Sequence, residues 1–207
     1  MARPRPDNLR ADQVQTIKLP SGNALDRVHP AIYPGDQFNP SPSGDARFSP
    51  LIEGGMVVPT LYAGESLDCA LMETLFHDVP YTDGPKRVRV KKINPLAHSS
   101  LRTLQEIEFA DLSNIALRKL GLQRKDLIDT TAARYARSRE WALAIRRERP
   151  DVQGLAWISR QHDKQASYVL FGDRLAPGTL ALNATSALSA KMEEIIALAD
   201  RLGVDLV

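Results

Sequence analysis

The chain of 207 residues has a single cysteine, Cys69, so it cannot form an internal disulfide or a cysteine-based zinc site. A reducing, cytoplasmic setting is the expectation. It has no apolar stretch approaching the length of a membrane helix, so no membrane partner is expected. Its start, Met1-Ala2-Arg3-Pro4-Arg5-Pro6, is basic but lacks the apolar region of a signal peptide. Charge of one sign is scarce too. Lys and Arg number 27 against 25 Asp and Glu, a formal net charge of +2, which gives no global case for nucleic-acid binding. There is no internal repeat. Gly-x-Gly-x-x-Gly, Walker and His-Glu-x-x-His motifs are all missing, so Rossmann, P-loop and zincin readings lack support and no metal site is expected. No Gly-x-Ser-x-Gly elbow marks a serine hydrolase.

What the sequence does contain is ordinary globular material, 43% hydrophobic and 25% charged. The length suits one sizeable core, or one domain with an extension. Residues 1–20 are polar and proline-containing and are expected to be loosely held. Leu25–His29 and Thr60–Ala63 read as short strands. Between them, residues 30–46 hold four prolines and two glycines and read as a long loop, either functional or a plain surface excursion. Residues 86–93 alternate and predict a strand with a basic face. Around 103–149 the texture is helical, with Gly121 as a stop and Thr130–Arg149 as an arginine-rich helix ended by Pro150. The arginines at 134, 137, 139, 146, 147 and 149 are interrupted by Glu140 and Glu148, which favours a solvated face over nucleic acid. Gly154–Ser159 and Ser167–Phe171 read as two neighbouring strands. In the tail, Leu188, Met192, Ile195, Ile196, Ala199 and Leu202 form one stripe of an amphipathic helix that Gly203 ends. The mixed order of strands and helices favours an α+β fold over a βαβ repeat.

The segment Leu67–His77 carries the most information. Ser66 is an N-cap for a helix running to about His77. At about 100° per residue, Leu67, Leu71 and Leu75 form one side, and Met72, Phe76 and Cys69 extend the apolar arc almost all the way round. Glu73 falls between Cys69 and Ala70 on this wheel. A carboxylate in such surroundings is costly without a partner. It is either one half of a structural ion pair in a crevice or an active-site group, and the segment alone does not separate the two. His77 follows one turn later, where a helix-end histidine bonding a carbonyl is the simpler reading.

Five pieces of the chain, in order, resemble the RES domain, a family named for an arginine, a glutamate and a serine. They are Asp26-Arg27-Val28; Gly44-Asp45-Ala46-Arg47-Phe48-Ser49-Pro50; Leu61-Tyr62-Ala63-Gly64-Glu65-Ser66 with Ala70–His77; Gly154-Leu155-Ala156-Trp157-Ile158-Ser159-Arg160; and Tyr168-Val169-Leu170-Phe171-Gly172-Asp173-Arg174. The second piece reads Arg-Phe-Ser where many members read Arg-Trp-Asn. On this basis residues 1–21 form a flexible N-terminal segment. Residues 22–176 form the domain, with a helical insert at about 100–150, and 177–207 form an extension with the amphipathic helix.

The resemblance implies a single α+β domain like the ADP-ribosyltransferases, a mixed or antiparallel sheet with flanking helices. It implies a toxin of a type II toxin–antitoxin system. The partner would be an Xre-like antitoxin whose tail blocks the cleft, and DNA would be met only through that antitoxin. It also implies an enzyme that degrades NAD at the nicotinamide–ribose bond, by hydrolysis or phosphorolysis, with NAD as substrate and no separate cofactor. A protein ADP-ribosyltransferase, acting for example on phosphoribosyl pyrophosphate synthetase, is the alternative. A non-catalytic binding module is a third. The candidate residues suit that chemistry. Glu73 can hold the ribose hydroxyls and stabilise an oxocarbenium-like state. Arg27 and Arg47 can fork onto the pyrophosphate. Tyr62 can stack on nicotinamide or ribose. Ser159 can hold the ribose or the carboxamide.

Overall fold

The computed structural model describes residues 4–80 and 84–207. Its centre is one mixed sheet of eight strands. In chain order these are β1 (Thr16–Leu19), β2 (Ala24–Pro30), β5 (Thr60–Gly64), β7 (Leu96–Thr103), β8 (Ile107–Asp111), β9 (Gly154–Ile158), β10 (Ala166–Phe171) and β11 (Leu180–Ala187). Two small two-stranded pieces complete the strands: β3 (Leu51–Glu53) with β4 (Met56–Val58), and β6 (Lys86–Val88) with β12 (Val204–Leu206). The order across the main sheet is β1-β8-β9-β10-β5-β2-β7-β11, and only β8–β9 is parallel.

Connectivity forces this sheet to curl. β7 and β8 stand five places apart in the order, roughly 24 Å if the sheet were flat. Yet β7 ends at Thr103 and β8 starts at Ile107. Four Cα steps reach at most about 15 Å, so the two halves of the sheet must turn toward each other. The apolar cluster of Leu25, Leu61, Leu101, Ile107, Phe109, Ala156, Tyr168 and Leu170 lines the side they share.

The helices divide between two further cores. α2 (Asn114–Lys119), α3 (Arg124–Leu127) and α4 (Tyr135–Glu148) cover the alternate residues of β8, β9 and β10, with Trp141, Ile145, Leu155, Val169 and Phe171 buried between them. α1 (Leu67–Met72) and α5 (Met192–Leu202) share the other core with Val28, Val88, Ile93 and Val204. α5 is the tail helix expected from its stripe, closed by Gly203 in the left-handed region at φ 64°. Arg201 also pairs with Asp68 at the start of α1.

Several expectations are revised. The glutamate helix is shorter than its apolar pattern. Ser66 caps it as expected through the Cys69 amide, but Glu73 is its C-cap and turns follow to Asp78. Residues 86–93 give only the short β6, then a 3-10 turn at Val90–Lys92. Within the stretch read as helical, Ile107–Asp111 is a central strand. It is only five residues long, and Ala110 breaks the Ile107-Glu108-Phe109 alternation after three. Residues 16–19, expected to be loose, pair with β8 as the edge strand β1, and Leu9 and Val14 are buried beside it. The arginine face of α4 is only partly solvated: Arg134 and Arg147 are exposed, but others are taken up in ion pairs. Arg146 is 2% exposed, paired to Glu53 and Asp173 and stacked on Phe171. Arg139 binds Asp45, and Arg149 binds Asp151 and the Val14 carbonyl.

Candidate active site

The sheet is nearly broken at one point. β2 and β5 are neighbours, but their register contains a single pair, Asp26 opposite Gly64. Past that bridge the strands part. The wedge between them opens into a cavity of about 430 Å³, within the size range of small-molecule sites. Arg27 and Val28 line it from β2, and Tyr62 and Ala63 from β5. α1 and the turns after it add Cys69, Glu73 and His77, and the loop before β3 adds Arg47. Gly64 is needed where it stands, because a Cβ there would lie 3.0 Å from Cys69.

Glu73 reaches this cavity because α1 stops at it. Its carboxylate is held from two sides. Ser159, fully buried just beyond β9, donates its hydroxyl proton to Glu73 Oε1 at 2.6 Å. Arg47 Nη1 lies 3.9 Å from Oε2. Ser159 Oγ also accepts the amides of Gln161 and His162, so the turn after β9 fixes the hydroxyl before it fixes the glutamate. Ser159 therefore stands behind Glu73, with its proton directed at the carboxylate.

Arg47 is the unusual member. It is 5% exposed, and its guanidinium carbon sits 5.6 Å from the Tyr135 ring centroid. Its Nε and Nη2 are buried and have no acceptor. The indole Nε1 of Trp157, which also lines the cavity, is another buried donor without a partner. Each such group costs about 1–3 kcal/mol. Three such donors belong to two of the side chains that line the cavity.

Arg27 is placed differently. Its Nη1 donates to the carbonyls of Gly35 at 2.7 Å and Gln37 at 2.9 Å, so it pins the 30–46 loop against β2. Burial pulls its pKa down to about 10, with Asp36 opposing, and it stays charged at neutral pH. Gly35 lies so close to β7 that a Cβ would meet Ser99 Oγ at 2.2 Å. Tyr62 accepts the Phe48 amide at its hydroxyl and holds its ring edge-on to Trp157, with centroids 6.3 Å apart. Burial pushes its pKa to about 12, against hydrogen bonds from Ser49 and Phe48. It is a neutral phenol that braces the Arg47 loop. Burial likewise raises the Cys69 thiol, which contacts Ser167 Oγ at 3.4 Å. His77 lines the cavity, but its ring meets the Asp78 carboxylate rather than a carbonyl. Its own carbonyl accepts from Gln161.

The structure thus brings Glu73, Arg47, Arg27 and Tyr62 to one cavity, with Ser159 behind Glu73. The sequence reading did not single out Asp26, Tyr135 and Trp157. Asp26 and Trp157 lie inside pieces already quoted, next to Arg27 and near Ser159. Nothing in the local sequence marks Tyr135, which arrives from mid-chain at the start of α4. Among the described residues, no group of three or more His, Cys, Asp or Glu is arranged to hold a metal ion.

No curated protein sequence matches the chain. Among solved structures it is similar to a chain of the M. tuberculosis MbcT–MbcA toxin–antitoxin complex, with a TM-score of 0.61 at 14% identity, over 85% of this chain and 90% of that one. At that identity the likeness speaks for the fold, and the expected α+β domain with one sheet and flanking helices is what is found. A family model for the RES domain matches residues 24–190, from β2 to the turn before α5. With residues 24–190 matched, most of its length, the chain belongs to the RES domain family.

Proposed function

We propose that this chain is the toxin of a toxin–antitoxin pair and that it degrades NAD by cleaving the nicotinamide–ribose bond. The observation that carries the reading is the Ser159–Glu73–Arg47 arrangement: a fixed carboxylate beside a buried guanidinium with two donors unmet. Cleavage of this bond passes through an oxocarbenium-like state, and cationic nicotinamide already leaves easily. The protein has to position the ribose and stabilise positive charge, rather than supply a strong acid. Glu73 is a carboxylate locked in place before substrate arrives. The unmet donors of Arg47 suit phosphate oxygens, for which a planar fork is made. Arg27 and the loop it pins form the rim beside them.

The toxin role is supported by family membership and by the fold shared with a chain of a toxin–antitoxin complex. Its partner would be an Xre-like antitoxin whose tail fills the cleft, with carboxylate or polar groups meeting Arg27 and Arg47. Incubating the purified chain with NAD and following nicotinamide release tests the reading. Free ADP-ribose or its phosphate is the expected product. Labelled protein in a lysate would move the reading to ADP-ribosylation, and no release at all would refute it. Partner affinity should fall as a non-hydrolysable NAD analogue is added, and an unchanged affinity would place the partner elsewhere.

A further inference from the structure

The cavity holds a second carboxylate that the reading above leaves idle. Asp26 sits on β2 at the lip of the wedge, and its Oδ1 accepts from His98 Nε2 of β7 at 2.6 Å. The pair is mostly enclosed, with side-chain exposures of 19% and 12%. Alternation along β2 puts Asp26 on the same face as Val28, which packs under α1. Asp26 therefore faces the helix that delivers Glu73. The two carboxylates are rooted on opposite sides of the opening. Glu73 is tied to the β9 side through Ser159, while Asp26 is tied to the β7 side through His98. Behind His98 the α5 carboxylate of Glu194 lies within electrostatic reach, exposed at the surface. Asp45, the other acid at the Arg47 loop, is already paired with Arg139.

We infer that Asp26, held by His98, is the base that deprotonates the acceptor, and that the acceptor is an uncharged hydroxyl, water in the simplest case, rather than a phosphate ion. The inference rests on the proposed cleavage of NAD and assigns its second half. As the C1′–N bond breaks, its electron pair leaves with nicotinamide, which becomes neutral. A water oxygen forms the new bond to C1′, and its O–H proton passes to Asp26. Asp26 then releases that proton toward solvent, and ADP-ribose is the product. An anion approaching the same face would meet the Asp26 charge, whereas a neutral hydroxyl meets a hydrogen-bond acceptor. His98 is a positioning residue. It presents its N–H to Oδ1 and leaves the other oxygen for the acceptor.

The experiment compares the full chain with Asp26→Asn and His98→Gln, using water, inorganic phosphate or sodium azide as acceptor. Nicotinamide release is followed and the ribosyl product identified by mass. Thermal melts check folding. The parent should give ADP-ribose whether or not phosphate is present, and azide should not speed it. Asp26→Asn should release nicotinamide at least about tenfold more slowly in water. Azide needs no deprotonation and is no longer repelled, so it should restore the rate and give ADP-ribosyl azide. His98→Gln should fall less and recover the same way. A merely structural Asp26 would show no azide rescue. Phosphate that accelerates the parent and appears in its product overturns the inference without needing any variant to fold. So does Asp26→Asn at the parental rate. A parent that releases no nicotinamide removes the proposed function itself, whereas a parent that turns over with an unaltered Asp26→Asn removes only this assignment.

Discussion

Glu73→Gln isolates charge from shape. A glutamine keeps the length of the side chain and still accepts the Ser159 hydroxyl, so the 2.6 Å bond can survive. What is lost is the negative charge 3.9 Å from Arg47 Nη1. Two unit charges at that distance attract by about 4 kcal/mol at an effective dielectric of 20, which is a ceiling here. Glu73 is 18% exposed, so water screens part of the field, and glutamine escapes the cost of burying a carboxylate. A net destabilisation of about 1–2 kcal/mol is the expected outcome. For a chain of this length that lowers Tm by roughly 2–8 °C. The catalytic effect should be larger. A carboxylate facing a developing cation acts mainly in the transition state, and each ~1.4 kcal/mol lost there is a factor of ten. Nicotinamide release should drop at least about tenfold, mostly in kcat, at a temperature where both proteins are folded. Circular dichroism melts beside a continuous nicotinamide assay read both quantities. A folded variant with near-parental turnover would refute the role. A large loss of Tm with unchanged turnover would leave Glu73 as a structural counter-ion only.

Other outcomes follow from single features. Arg47→Lys should cut kcat/KM at least about tenfold, because an ammonium cannot reproduce the planar fork, two of whose donors are buried without an acceptor. Arg27→Lys should act mainly on KM, since only Nη1 spans the Gly35 and Gln37 carbonyls and the loop would loosen; parental kinetics in both lysine variants would dismiss the arginines as substrate holders. Gly35→Ala should destabilise by about 1–3 kcal/mol, read in a chemical denaturation, because its Cβ would overlap Ser99 Oγ; an unchanged midpoint would mean the loop does not sit on β7 as described. His29 has its pKa lowered from 6.5, first by burial, and neutral His29 donates from Nδ1 to the Pro30 carbonyl while Nε2 meets Ser99 Oγ. The unfolded chain then binds a proton more readily, so this residue's contribution is full above pH 6.5 and is lost as pH falls below it. The stability gap between the parent and His29→Gln should narrow toward acid pH, and a constant gap would refute the argument.

Much of this fold was legible where local sequence and final environment agree. β2, β5, β9 and β10 announce themselves because their apolar runs end at turn residues, and α5 because one stripe is buried and the rest is wet. β8 is hard to read because its alternation lasts only from Ile107 to Phe109 before Ala110 breaks it. α1 was overextended because apolar residues after Met72 reach the same core through turns, with Leu75 and Phe76 buried without being helical. At the site, the family pieces named Glu73, Arg47 and Ser159, and geometry put them in contact. No periodicity could show that Ser159 faces Glu73 across 86 residues, or that Arg27 spends one nitrogen on the loop. Arg146 departs from the solvated face for a related reason. A charged helix face looks solvated until the acids that meet it arrive from β3 and from the end of β10.

The lone bridge between Asp26 and Gly64 also sets how the molecule can deform. Elsewhere in the sheet, widening a gap between strands means tearing a ladder of backbone bonds. Here the hydrogen-bonded ladder stops after one rung, and the spacing of β2 from β5 is governed instead by side chains of α1 resting on β2 and on α5. The joint is held by packed hydrocarbon where a backbone ladder is missing. A molecule that widens the cleft would press on that packing, which α1 shares with α5 near the C-terminus. Amide exchange in residues 192–202 should therefore report whether the cleft is filled, although none of those residues lines it.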